Sequence, residues 1–127
     1  MQRLVNEIMI EQVRYNQILP LIKMAYDEGV AILETDAIYA VREDYGIVAL
    51  GCIRQIGKRR ARLCGAWTMP EMRGRGYGRA IVEHRLGEIR NVSVIDTFAF
   101  YPSLFLSLGF RELRTYQIGT TWLVKEL

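Results

Sequence analysis

Cysteine is scarce in this chain. Two residues of 127, Cys52 and Cys64, are too few for a disulfide framework or a zinc site. Both read as small buried residues on neighbouring strands, and the expected setting is reducing and cytoplasmic. Histidine is scarcer still: His84 stands alone, mid-helix beside Glu83 and Arg85, where a surface residue is expected rather than a catalyst. Lysine supplies only 3 of the 17 basic residues and arginine the other 14. Arginine suits planar two-point contact with phosphate. No apolar run reaches the roughly 18 residues of a membrane span. The opening Met1-Gln2-Arg3-Leu4-Val5-Asn6-Glu7 lacks the apolar stretch of a signal peptide. Repeats, low-complexity tracts and linkers are absent too. At this length, with 50% hydrophobic residues, the expectation is a single domain over residues 1–127.

Net charge is only +3, so no strong field covers the chain. One basic run, Lys58-Arg59-Arg60-Ala61-Arg62, falls at a strand-to-strand turn. It reads as a solvated hairpin tip, with contact to an acidic partner or nucleic acid as the other reading.

The pattern along the chain predicts a succession of short elements. Residues 3–10 favour a strand over a short helix. Ile18, Leu21, Ile22 and Ala25 mark one face of a helix over 16–28, with Pro20 in its first turn and Gly29 as its stop. Strands are expected at 37–41, 47–56 and 62–68, joined by turns at Glu43–Gly46 and Gly57–Arg59. A helix over 77–90 turns Ile81, Val82, Leu86 and Ile89 inward. A strand at 92–98, a short helix at 102–108 and strands at 110–117 and 120–125 complete an α+β sheet packed by helices.

Glycine is where the chain is rich in information. In Thr68-Met69-Pro70-Glu71-Met72-Arg73-Gly74-Arg75-Gly76-Tyr77-Gly78-Arg79, three glycines alternate with large residues between an expected strand and an expected helix. Alternating glycines let successive N–H groups turn toward one point, and the helix start adds its own unpaired N–H groups and dipole. With Arg73, Arg75 and Arg79 at hand, this is a pocket for phosphate. No Lys-Ser/Thr follows, which excludes a Walker A loop. The third glycine sits one position early for a dinucleotide fingerprint, and an acid at the Asp96 distance is common by chance. A flexible turn and an arginine–glycine RNA-binding segment are the other readings. Such segments belong to long low-complexity regions, which this chain lacks.

Arg73-Gly74-Arg75-Gly76-Tyr77-Gly78, after a strand ending at Thr68-Met69-Pro70, resembles the acetyl-CoA pyrophosphate loop of the GCN5-related N-acetyltransferases. Leu104-Phe105-Leu106-Ser107-Leu108-Gly109-Phe110 resembles that family's short helix and Gly-Phe after the fifth strand, so the resemblance covers residues 61 to 110. It implies a mixed, mostly antiparallel twisted sheet flanked by helices, with a central strand splayed from the next. It implies acetyl-CoA as cosubstrate, an amine acceptor and no metal. The pantetheine would pair with the strand edge at Ala66, Trp67 and Thr68, and the pyrophosphate with the loop from Arg73 through Gly74, Arg75, Gly76, Tyr77 and Gly78 to Arg79. Trp67 also reads as core packing.

Transfer from a thioester to an amine asks for a base near the amine and an acid near the sulfur. An amine of pKa about 10.4 must lose a proton, and a thiol of about 8.5 must regain one. The resemblance puts the acid at Phe105, which has no proton to give, a pantetheine-holding Asn at Phe98 and a base at Ser93. Tyr101 is the nearest replacement acid and Asp96 the candidate base. Glu34, Asp36 and Tyr39 are candidates for the acceptor side, though solvated loop and strand positions fit them as well. The acceptor is not legible in the sequence. Nucleic-acid binding is a weaker alternative, and the last strands could pair across a homodimer edge.

Overall fold

A computed structural model describes residues 8–127. The first strand, β1, runs Ile10–Val13, later than expected, and the part of the expected strand before residue 8 lies outside the described residues. A single helix over 16–28 was the expectation. Instead a 3-10 turn at Tyr15–Gln17 leads into α1, Leu19–Asp27, with Pro20 in its first turn. Then follow β2 (Ala37–Glu43), β3 (Gly46–Gly57) and β4 (Arg60–Thr68). A 3-10 turn at Pro70–Met72 precedes α2 (Tyr77–Glu88), β5 (Val94–Ala99), α3 (Ser103–Ser107), β6 (Arg111–Thr115) and β7 (Thr121–Glu126). The basic run is divided by this: Arg60, Ala61 and Arg62 belong to β4, and only Lys58 and Arg59 form the tip.

The strands form one seven-stranded sheet in the order β1-β2-β3-β4-β5-β7-β6. Every neighbouring pair is antiparallel except β4 and β5. Strand alternation gives the sheet two apolar faces. Ile38 and Ala40 of β2 meet Ile18, Ile22 and Ala25 on the α1 side. Val41, Val48 and Ala49 meet Tyr77 and Ile81 on the α2 side. The same side continues as Leu63, Val82, Ile95 and Leu123, where Leu104 and Phe105 bring in α3. Among the described residues no helix is long and apolar enough to cross a membrane.

A bulge at the centre of the sheet positions everything that follows. Cys52 pairs with Cys64 and Leu50 with Trp67, so Gly65 and Ala66 of β4 stand opposite the single residue Gly51 of β3. Gly65 takes φ +62, the left-handed conformation that such a bulge asks of its glycine. The extra residue bends β4 away from β5. Their parallel pairing covers Arg60–Leu63 against Val94–Thr97 and stops there, at a bond from the Thr97 hydroxyl to the Leu63 carbonyl of 2.9 Å.

The two cysteines are cross-strand neighbours, as expected, and both are free thiols. Burial pushes both thiols up, Cys64 to about 11. Since the thiolate is the reactive form, Ellman's reagent at about pH 8 should leave both unmodified in the folded protein and label both in denaturant. Fast labelling of either one without denaturant would contradict the β3–β4 packing.

Candidate functional site

Beyond Leu63 the β5-facing side of β4 has no strand partner, and the gap opens as a cleft. One half, a cavity of about 520 Å³, lies against Cys64, Gly65, Phe98, Ala99 and Phe105. The other half, about 460 Å³, lies against Ala66, Trp67, Thr68, Arg73 and Gly78. Val30, Ala66, Arg85, Phe100 and Tyr101 border both halves, so the cleft runs along the bare edge of β4 to the glycine loop. Ala66 is exposed on that edge. The Trp67 side chain is 4% exposed and belongs to the core, which leaves only its backbone for a ligand.

At the loop, Gly74 and Gly76 have φ +79 and +85, and Gly76 is the left-handed cap from which α2 starts. Apart from chain neighbours and the helix's own backbone, no atom of the described residues lies within 4 Å of where a Cβ on Gly74, Gly76 or Gly78 would stand. The first N–H groups of α2 have no intrahelical acceptor, and the glycines around them leave the loop free of side-chain bulk. The Tyr77 side chain turns into the core and donates to Glu43 at 2.9 Å, so Tyr77 offers the loop its backbone. Arg79 is exposed and pairs with Glu83 at 3.1 Å. Arg75 is exposed as well. Arg73 is held: its guanidinium bonds the Thr68 carbonyl at 3.0 Å and Glu28 at 2.7 Å.

Glu28 escaped the sequence reading. It follows α1 and brings a carboxylate to the loop, accepting from the Trp67 indole at 2.5 Å as well as from Arg73. The Trp67 bond, then the Arg73 bond, hold its carboxyl below the usual range. The Glu28 carboxylate therefore stays ionised at neutral pH and is protonated only in acid.

The expected catalytic residues fall in different settings. Tyr101 is 86% exposed and borders both halves of the cleft. Asp96 is fully buried; its carboxylate accepts two bonds from Arg62, at 2.8 and 2.9 Å, and one from the Trp122 indole at 3.0 Å. Phe105 borders the cleft and packs edge-on against Phe110. Phe98 stacks on Trp122, with the Arg62 guanidinium 4.9 Å above its ring. Ser93 lies away from the cleft, bonded to Arg59 at 2.8 Å.

None of the three acceptor-side candidates reaches the cleft. Asp36 is locked to Arg54 by two bonds of 2.8 Å. Glu34 shares with Asp36 a separate shallow dent beside β1. Tyr39 is buried under α2, edge-on to His84. His84 itself is half-buried, 3.5 Å from Glu88 on the same helix, and does not border the cleft.

Arg85 is the residue the sequence reading missed most plainly. It was not among the residues expected to turn inward, yet it is 1% exposed and borders both halves of the cleft. The signal was present. Position 85 follows Ile81 by four and Val82 by three, on the inward stripe. Its guanidinium donates to the carbonyls of Cys52 at 2.8 Å and Cys64 at 3.1 Å, at the bulge.

The family model described as acetyltransferase (GNAT) family matches residues 4–103. No curated protein matches the chain in sequence. Solved structures are similar in fold. A Mycobacterium tuberculosis protein in complex with CoA is 18% identical with a TM-score of 0.76, over 94% of this chain and 99% of that one. The Escherichia coli ribosomal-protein-S18-alanine N-acetyltransferase is 16% identical with a TM-score of 0.72, over 94% of each chain. N-acetylglutamate synthase from Neisseria gonorrhoeae, complexed with CoA and N-acetyl-glutamate, is 13% identical with a TM-score of 0.72. The match takes in 95% of this chain and spans only 35% of that synthase.

Proposed function

The chain belongs to the GNAT acetyltransferase family, and from that membership we propose that it moves an acetyl group from acetyl-CoA directly to an amine. The observation that carries this reading is the continuity of the cleft. An open helix N-terminus for a pyrophosphate runs into a bare strand edge for an amide-bearing arm. Gly74 to Arg79 would take the pyrophosphate, through backbone N–H groups and the exposed arginines. Ala66 and Trp67 would offer backbone groups to the pantetheine. The Thr68 carbonyl already accepts from Arg73, so its share is smaller.

The amine nitrogen attacks the thioester carbon, the C–S bond breaks, and the nitrogen's extra proton leaves to solvent. The thiolate must regain a proton. Tyr101 borders the cleft, and in this reading its hydroxyl supplies that proton. Asp96 serves differently in this reading. With Arg62 and Trp122 on its oxygens, it ties β4, β5 and β7 together behind the cleft rather than acting as base.

Release of free CoA thiol from acetyl-CoA across a panel of amines tests the activity. On a working acceptor, Tyr101→Phe should lower kcat about tenfold or more. If Tyr101→Phe leaves kcat intact while Phe105→Tyr raises it, the enzyme runs without a dedicated acid. Phe105 also supports a second reading, a module of this fold that holds CoA without transferring from it. Tight CoA binding with no thiol release on any amine would favour that one.

A further inference from the structure

The cleft wall contains four charged side chains among the described residues: Glu28, Arg62, Arg73 and Arg85. Arg62 is neutralised by Asp96 at 2.8 Å and Arg73 by Glu28 at 2.7 Å. Arg85 has only carbonyls. Its Nη1 donates to Cys52 and Cys64, and its Nε to Ile81 at 3.3 Å. Nη2 has no hydrogen-bond partner among the described residues. Every fully enclosed side-chain nitrogen or oxygen among the described residues has a partner, so Nη2 must keep an opening, and the cleft is the space that Arg85 borders. A guanidinium taken almost wholly out of water without a counter-ion is costly, and an anion in reach of its free edge recovers much of that cost. Burial lowers Arg85 only to about 10, so it remains a cation at neutral pH.

Position along α2 decides which anion. Arg85 lies eight residues beyond Tyr77, the first of the helix. At 1.5 Å per residue that is about 12 Å from the N–H groups that would take a pyrophosphate. Its nearer neighbours are the bulge carbonyls at the vertex of the splay, where the reacting end of a ligand would arrive. The local packing also favours this pose, since the guanidinium carbon lies 3.0 Å from where a Cβ on Gly51 would stand. A side chain at 51 would displace it.

We propose that Arg85 recognises a carboxylate at the reacting end of the cleft, carried either by the far end of the acyl group or by the amine acceptor. The proposal rests on the acyl-transfer reading above and narrows its substrate class. A planar fork with one edge fixed on carbonyls presents its other edge in a defined direction, which suits a carboxylate.

Calorimetry with matched probes tests it and separates the two sources. For the acyl arm, succinyl-CoA is compared with butyryl-CoA, equal in chain length and differing in the terminal carboxylate. For the acceptor arm, the CoA-saturated protein is titrated with phenylalanine and with phenethylamine. The expected result is a preference of about tenfold or more for the carboxylate in one arm, the size of a charged hydrogen bond. Arg85→Met should abolish that preference and Arg85→Lys should keep part of it. If CoA binds and the wild type shows no carboxylate preference in either arm, the proposal is overturned, whether or not the variants fold. The same holds if Arg85→Met folds and keeps the preference. If CoA itself does not bind, the acyl-transfer reading falls and this proposal falls with it.

Discussion

Gly65→Val should cost the fold about 2–5 kcal/mol and remove ligand binding with it. Two separate costs add. Gly65 sits at φ +62, where a residue with a Cβ pays about 1–2 kcal/mol. Its Cβ would also stand 2.6 Å from the Cys52 sulfur and 3.1 Å from both Cys52 Cβ and Ile32 Cγ1. Those atoms belong to a packed core, so making room costs about a further 1–3 kcal/mol. The bulge is the cause of the splay, and straightening β4 to relieve the clash would extend its pairing with β5 and close the cleft. Urea unfolding followed by tryptophan fluorescence checks the first part. Gly74→Ala is the control, because it carries a similar φ of +79 with no atom within 4 Å, and should cost only about 1 kcal/mol. A Gly65→Val midpoint equal to that of Gly74→Ala would mean that packing at the bulge is looser than the distances say.

The bulge was not legible in the sequence, and the reason is physical. A glycine in a strand is compatible with a weak strand, a bulge or a close approach, and only the partner strand decides among them. What was legible were local signals: the glycine alternation, the Pro20 start and Gly29 stop of α1, the turns between β2, β3 and β4. Boundaries drifted where two weak signals met. The helix expected from 16 begins at Leu19, because residues 15–17 close a 3-10 turn that apolar spacing does not distinguish from helix.

The site was legible in the same uneven way. The glycine loop proposed to take phosphate is made of consecutive residues, so its pattern is visible in one sequence. The charge pairing that sorts Asp96 from Tyr101 depends on residues far apart in the chain. Arg62 and Asp96 meet only because β4 and β5 are parallel partners. Glu28 and Arg73 meet only because α1 ends beside the loop. Arg85 lies on the inward stripe of α2, although it was not among the inward residues expected of that helix. The two carbonyls that hold its guanidinium come from the bulge, which no local signal in the sequence announces.

Gly76→Val should weaken CoA binding by about tenfold to hundredfold or more, because the loss falls on charged hydrogen bonds of about 1.5–3 kcal/mol each. Gly76 caps α2 at φ +85, and its carbonyl accepts from the Ala80 N–H at 3.1 Å, so its backbone sets where the free N–H groups point. Chain neighbours apart, the space beside it contains no atom of the described residues within 4 Å. A valine there meets no neighbour; it stands where the ligand would be. Strain from the positive φ, about 1–2 kcal/mol, appears in the unfolding midpoint and can be subtracted from the comparison. Arg73→Ala is the informative companion. Arg73 must exchange Glu28 for phosphate in order to help, so its loss should cost binding less than an unengaged arginine would, within about 1.5–3 kcal/mol. Calorimetric titration with CoA at fixed salt decides. Unchanged affinity for a folded Gly76→Val protein would remove the loop from the binding site, and with it the observation on which the acetyl-CoA reading stands.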